Sequence, residues 1–228
     1  MRSQPLRGQG DYASGVEVDR RLPLLALVAL LGGVGVFLAL HVLPPTSGIS
    51  PVRRTLSEYA LGDSKWAFDL AVVLIALGSA LVFAELLRRG HSRVAVLLGV
   101  VWTLSLLLTV VFTKTNWAIG PSVGGLIHRY ASVAAFLSLP VAVLVAAGAV
   151  FPAAAGWRWA ARGLGGLSLA WIGAIDVAVC NMAMGGVSWW RAIPLGLVER
   201  VIAGSAVAAL AVIVLGLLRP TARAAVPR

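Results

Sequence analysis

The sequence predicts an all-α membrane protein, a bundle of six transmembrane helices with both termini cytoplasmic. Three observations carry this. Six apolar stretches, each about twenty residues long, occupy most of the chain. Hydrophobic residues make up 59% of it and the mean hydropathy is +0.91, more than a soluble chain of 228 residues needs for its core. Lys and Arg, finally, are unevenly shared between alternate loops.

The first stretch, Leu22 to Leu43, follows residues 1–21, a loose cytoplasmic segment of mixed polar residues without periodicity. Arg2 and Arg7 precede it, but the apolar run continues for a full membrane width and ends Ala39-Leu40-His41 without a small-residue cleavage pattern. An uncleaved first helix is therefore expected. The further spans are Trp66 to Leu87, Val94 to Thr113, Ala131 to Phe151, Leu164 to Met184 and Leu197 to Leu218. At about 1.5 Å per residue each crosses a ~30 Å hydrocarbon core. In the fifth, Gly166, Ala170, Ala174 and Ala178 recur every four residues, and Gly204 with Ala208 repeats the pattern in the sixth. These predict smooth faces on which helices approach closely. Residues 219–228 form a short cytoplasmic tail. The single cysteine, Cys180, lies in the fifth span, excludes an intrachain disulfide and reads as a small packing residue.

Net charge is +10, and Arg supplies 17 of the 19 basic residues. These charges sit in short loops between spans, so the expected partners are the bilayer and its anionic phospholipids, and nucleic acid is excluded. Twelve Lys and Arg fall at the termini and in residues 88–93 and 152–163, against seven in residues 44–65, 114–130 and 185–196 with Arg200. That bias puts the termini inside a multi-pass protein of the cell membrane.

Placing polar residues by depth gathers a set at the outer boundary. His41 and Asp69 lie near the outer ends of spans one and two, His128 just before span four, and Glu199 with Arg200 in the first turn of span six. The longest loop carries Arg53, Arg54, Ser57, Glu58 and Tyr59 above them. Ser105, Thr109 and Thr113, at spacing four, form a hydroxyl stripe on the third span leading up to this plane, the first two intramembrane. Bland readings stand beside each: Glu58 follows Thr55 at capping-box spacing, and Trp189 with Trp190 fits an interfacial aromatic belt. On the inner side Glu85 sits beside Arg88 and Arg89 as a salt bridge. Asp176 falls near mid-membrane with no basic residue at its depth, so it is read as protonated or hydrogen-bonded, with Ser105 as its partner in a helix clamp or a proton-handling role.

The run Ser50-Pro51-Val52-Arg53-Arg54-Thr55-Leu56-Ser57-Glu58-Tyr59-Ala60-Leu61-Gly62, the segment Gly125-Leu126-Ile127-His128 and the segment Gly196-Leu197-Val198-Glu199-Arg200 resemble the DUF998 family of bacterial integral membrane proteins. The resemblance covers roughly residues 25–218. It implies a six-helix membrane domain with no established activity. Such proteins often carry a Phe-Pro-type turn with a carboxylate after the third helix; here Phe112-Thr113-Lys114-Thr115-Asn116 stands instead and offers no carboxylate for a metal.

Two function classes remain, and whether the protein is an enzyme stays open. In one, the outer pocket binds or helps move an anionic lipid headgroup or small amphiphile, with Arg53, Arg54 and Arg200 giving charge-assisted hydrogen bonds and His128 and Glu199 orienting it. In the other, a membrane-embedded hydrolase or transferase, His41, His128 and a carboxylate such as Glu58 hold a catalytic metal. No HExxH-like spacing supports the second, and no cofactor is expected. Orientation is testable directly: reporter fusions after Arg219 and within residues 114–130 should report opposite compartments, the former cytoplasmic. An extracellular signal from the C-terminal fusion would overturn it.

Overall fold

Inside a membrane each backbone N–H and C=O must be bonded within its own segment, so apolar runs of this length have to become helices. The computed structural model describes residues 20–219, and among them there is no β-strand. The helices are α1 (Arg21–Val42), α2 (Lys65–Arg88), α3 (Arg93–Val111), α4 (Val123–Val150), α5 (Ala155–Ala183), α6 (Trp189–Ala192) and α7 (Leu195–Leu218), with a 3₁₀ turn at Leu56–Ala60. All but α6 are long and apolar enough to cross a membrane. The terminal segments expected at residues 1–21 and 219–228 lie, but for Arg20, Arg21 and Arg219, outside the described residues.

Four spans agree with their hydropathy runs to within two residues, whereas α4 and α5 begin eight and nine residues earlier than expected. Hydropathy stops at the first polar residue; a helix stops where its N–H groups find a cap. The Ser122 hydroxyl accepts from the Gly125 N–H at 3.0 Å and starts α4 there, which draws His128 and Arg129 into its second turn. On α5 the early turns carry Arg158, bonded to the carbonyls of Phe151 and Pro152, and Arg162, stacked over Trp159.

Five helices close a ring in the order α1, α2, α3, α4, α7, with α7 returning to α1. α5 lies outside it, packed on α4 and α7. Burial follows: 56% of the apolar window of α2 is covered but only 17% of that of α5. One core cluster fills the end of the ring where α2 meets α3. A second, built from Leu40, Phe68 and Val72, seats Tyr59 and Ala60 of the 3₁₀ turn at the other end. That other end, which bears the 43–64 loop, is called the site end below.

The packing face of α5 differs from the one its sequence suggested. Gly166 and Gly204 have open space beside them, and Ala170 and Ala208 are exposed; of the expected stripe on α5 Ala178 is buried, and the other buried positions there are Ala161, Gly165 and Ser168. Cys180 is likewise exposed rather than packed. The Ser168 hydroxyl donates to the Ile202 carbonyl at 3.0 Å and sets the register of these antiparallel helices. Equal steps along both from that bond bring Asp176 level with Pro194, just ahead of α7. Asp176 is therefore exposed and nearer the site end than the middle of α5 is, while Ser105 is buried on α3 across the ring. The expected clamp between them is not formed. At the opposite end Glu85 is fully buried and bonded by Arg88 at 2.7 Å and Arg89 at 2.6 Å, as the sequence suggested.

A Cβ on Gly99 would run into the Phe83 ring, whereas one on Gly166 meets nothing. Gly99→Ala should cost about 1–3 kcal/mol in detergent unfolding assays, and Gly166→Ala should stay neutral to slightly stabilising. Equal effects would refute the assigned packing faces.

Candidate functional site

Loop residues at a membrane boundary must find partners for backbone groups that no sheet or helix satisfies. Here the start of α7 provides them. Gly196 lies so close to the carbonyls of Pro51 and Arg54 that no side chain would fit, and the Leu197 N–H donates to the Val52 carbonyl at 3.1 Å. One turn on, Glu199 accepts the Leu56 N–H on Oε2 at 2.8 Å, capping the 3₁₀ turn from a distant helix. Thr55 makes no side-chain cap, and the capping box expected with Glu58 does not form. Glu58 instead takes Lys114 at 2.6 Å and Arg54 at 3.6 Å, while Lys114 also donates to the Thr55 hydroxyl.

Arg200 faces the other way, toward α1. Its guanidinium donates to His41 Nε2 at 2.7 Å, to the carbonyls of Arg54 and Gly196 at 2.7 and 2.9 Å, and to the Tyr59 hydroxyl at 3.3 Å. Four of its five N–H groups are thus used inside the protein. A guanidinium only donates, so His41 Nε2 accepts and Nδ1 gives its proton to the Phe37 carbonyl at 2.6 Å. Arg200, His41 and the buried Tyr59 form a latch between α1, the loop and α7, with no donor set left over for a headgroup. Asp69 is engaged as well, by Lys65 at 2.6 Å, which reaches across to the Val110 carbonyl on α3.

His128 and Glu199 do meet in one place. Both line a cavity of about 80 Å³ inside the ring, with Phe37, Phe68 and Trp102 among its walls and Leu56 and Ser57 as its roof. Thr109 lines this cavity and Ser105 does not. His128 is buried, and its Nδ1 donates to the Phe112 carbonyl at 2.7 Å. The same two residues, with Ser57, also line a cleft of about 350 Å³ bounded by Val133, Phe136 and Ile175 between α4 and α5. The cleft adjoins a basin of about 870 Å³ at the site end, which holds Arg53, Arg54, Glu58, Lys114 and Arg129 beside Trp117, Trp189 and Trp190. Lys114, Trp117, Arg129 and Trp189 belong to both spaces. The result is a row of adjoining spaces, from a cationic, aromatic basin through an apolar cleft to a carboxylate and an imidazole.

Of the residues expected here, Arg53, Arg54, Ser57, Glu58, His128 and Glu199 are brought together along that row. His41, Tyr59, Asp69 and Arg200 surround it as structural partners, and Asp176 stands apart on α5. The sequence reading missed the roles of Lys114 and Arg129. Lys114 was visible only as a departure from a family turn, and Arg129 was hidden in a segment read as loop. The metal set proposed from His41, His128 and Glu58 is not assembled: among the described residues no three His, Cys, Asp or Glu side chains come close enough to hold an ion. His41 gives its acceptor nitrogen to Arg200 and Glu58 is held by Lys114.

A family model described as a protein of unknown function, DUF998, matches residues 27–216. No curated protein and no solved structure matches the chain.

Two substitutions test the latch and the cap. Arg200→Lys keeps the charge but loses the planar fork, and should destabilise the protein by about 2 kcal/mol in thermal unfolding. Glu199→Leu should speed hydrogen exchange at the Leu56 amide while Glu199→Gln, which keeps an acceptor, should not. Unchanged exchange in the Leu variant would refute the cap.

Proposed function

We propose that this chain, which belongs to the DUF998 family of proteins of unknown function, binds an anionic amphiphile at the site end of its membrane bundle. The headgroup lies in the basin against Arg53, Arg54, Lys114 and Arg129, and the apolar part follows the cleft past Val133 and Phe136. The single observation that carries this reading is that basin and cleft share Lys114, Trp117, Arg129 and Trp189 as a common wall, because a ligand spanning both must be charged at one end and apolar at the other. Guanidinium and ammonium groups supply charge-assisted hydrogen bonds to phosphate or carboxylate, and the tryptophans flank them with faces suited to an interface.

His128 and Glu199 stand at the inner end of the cleft and orient the segment that joins head to tail. Glu199 keeps one carboxylate oxygen beyond its bond to Leu56, which suits a hydroxyl or amide donor there. In the cell membrane, with both termini cytoplasmic, the basin opens outward and draws its ligand from the outer leaflet. The 12 to 7 distribution of basic residues supports that orientation. The metal-dependent hydrolase or transferase has no comparable support, since two of its three ligands are committed elsewhere.

Purified protein in detergent should show a saturable change in tryptophan fluorescence with phosphatidylglycerol and a weaker one with phosphatidylcholine. Arg129→Gln should weaken phosphatidylglycerol binding about fivefold, the effect of one interfacial cation. Equal affinity for the two lipids would remove the proposal.

A further inference from the structure

The balance of charge in the basin narrows the ligand further, on the premise that the site binds an amphiphile. Four cations line it, Arg53, Arg54, Lys114 and Arg129, against one carboxylate, Glu58, a net excess of three positive charges. Arg54 and Lys114 share Glu58. Among the described residues Arg53 makes no side-chain hydrogen bond or ion pair, and Arg129 only overlies the Trp117 ring at 5.8 Å. Like charges gathered around one basin repel one another, and an anion placed among them relieves that repulsion.

The geometry points to a headgroup that carries two or more negative charges, a phosphomonoester or a diphosphate on an apolar tail. A phosphodiester brings one negative charge and would leave two cations unmatched. A phosphomonoester brings about 1.5 to 2 charges near pH 7 and three terminal oxygens, and a diphosphate brings more. Two guanidinium forks and one ammonium can share those oxygens: Arg129 and Lys114 stand where basin and cleft join, and Arg53 stands in the basin alone. The tail is part of the assignment because the cations nearest the cleft are also those nearest its apolar walls.

The test compares three lipids of matched chains in detergent at pH 7.5: phosphatidic acid, phosphatidylglycerol and phosphatidylcholine, with inorganic pyrophosphate as the tail-less probe. Phosphatidic acid should bind about fivefold or more tightly than phosphatidylglycerol, in proportion to one further charge paired with a basic residue. The double variant Arg53→Gln, Arg129→Gln should erase that preference while its thermal unfolding stays that of the parent, since neither residue belongs to the latch. Pyrophosphate should displace phosphatidic acid only at much higher concentration. Equal binding of phosphatidic acid and phosphatidylglycerol, both above phosphatidylcholine, overturns the multiply charged headgroup and leaves the amphiphile reading standing. No preference among the three lipids overturns both. Pyrophosphate binding as tight as that of phosphatidic acid overturns the role of the tail and assigns the basin to a soluble anion.

Discussion

A guanidinium at a membrane boundary has five N–H groups to place, and Arg200 places four of them on an imidazole, two carbonyls and a phenol from three separate parts of the chain. Those bonds fasten the 43–64 loop to α1 and α7. With the loop fixed, Leu56 meets Glu199 and Glu58 meets Lys114, so the roof of the ring cavity and one wall of the basin follow from the same contact. Hydrogen bonds to a charged group contribute about 1.5–3 kcal/mol, and here they also orient His41. Without them the loop would lose its tie to α1 through His41 and keep its bonds to Leu197, Glu199 and Lys114 and the burial of Tyr59 and Ala60.

The division of labour between adjacent residues of α7 has a simple geometric origin. Successive helical side chains point about 100° apart, so Glu199 turns toward the cavity while Arg200 turns toward α1. Two opposite charges next to each other in sequence therefore act in different places and do not neutralise one another. The same step separates His128, buried against the Phe112 carbonyl, from Arg129, exposed at the mouth of the cleft. Acid and imidazole thus face inward while the cations of α4 and of the loop face the basin. That polarity places cations above and a carboxylate below. Among the described residues no metal set is assembled there, and His41 and Glu58 are held by Arg200 and Lys114.

The position of α5 outside the ring shapes the site as well. A sixth helix in the ring would enlarge the central cavity; outside, α5 and the short α6 form the far wall of the cleft through Ile175 and Trp189. The cleft therefore lies between the ring and an added helix. Val133 on its rim is half exposed, so the apolar wall of the cleft reaches the side of the bundle.

What the sequence determined by itself is what depends on position along the chain. Six lipid-length apolar runs require six helices, and depth counted from their ends collected Glu58, His128 and Glu199 at one boundary and paired Glu85 with Arg88 and Arg89 at the other. Rotation about each helix axis and register between helices were left to the tertiary structure. The reason is physical: lipid is as apolar as a protein interior, so a membrane helix carries almost no sidedness in its hydropathy, and the buried face is chosen by small-residue contacts and a few hydrogen bonds. Hence Gly165 rather than Gly166 packs on α5, and the bond from Ser168 to Ile202 sets Asp176 level with the start of α7. Partner choice was undetermined for the same reason. That Glu199 caps a turn beginning at Leu56, that Arg200 is consumed by His41, and that Lys114 and Arg129 join Arg53 and Arg54 around one basin are facts of closure, fixed only when five helices meet in a ring.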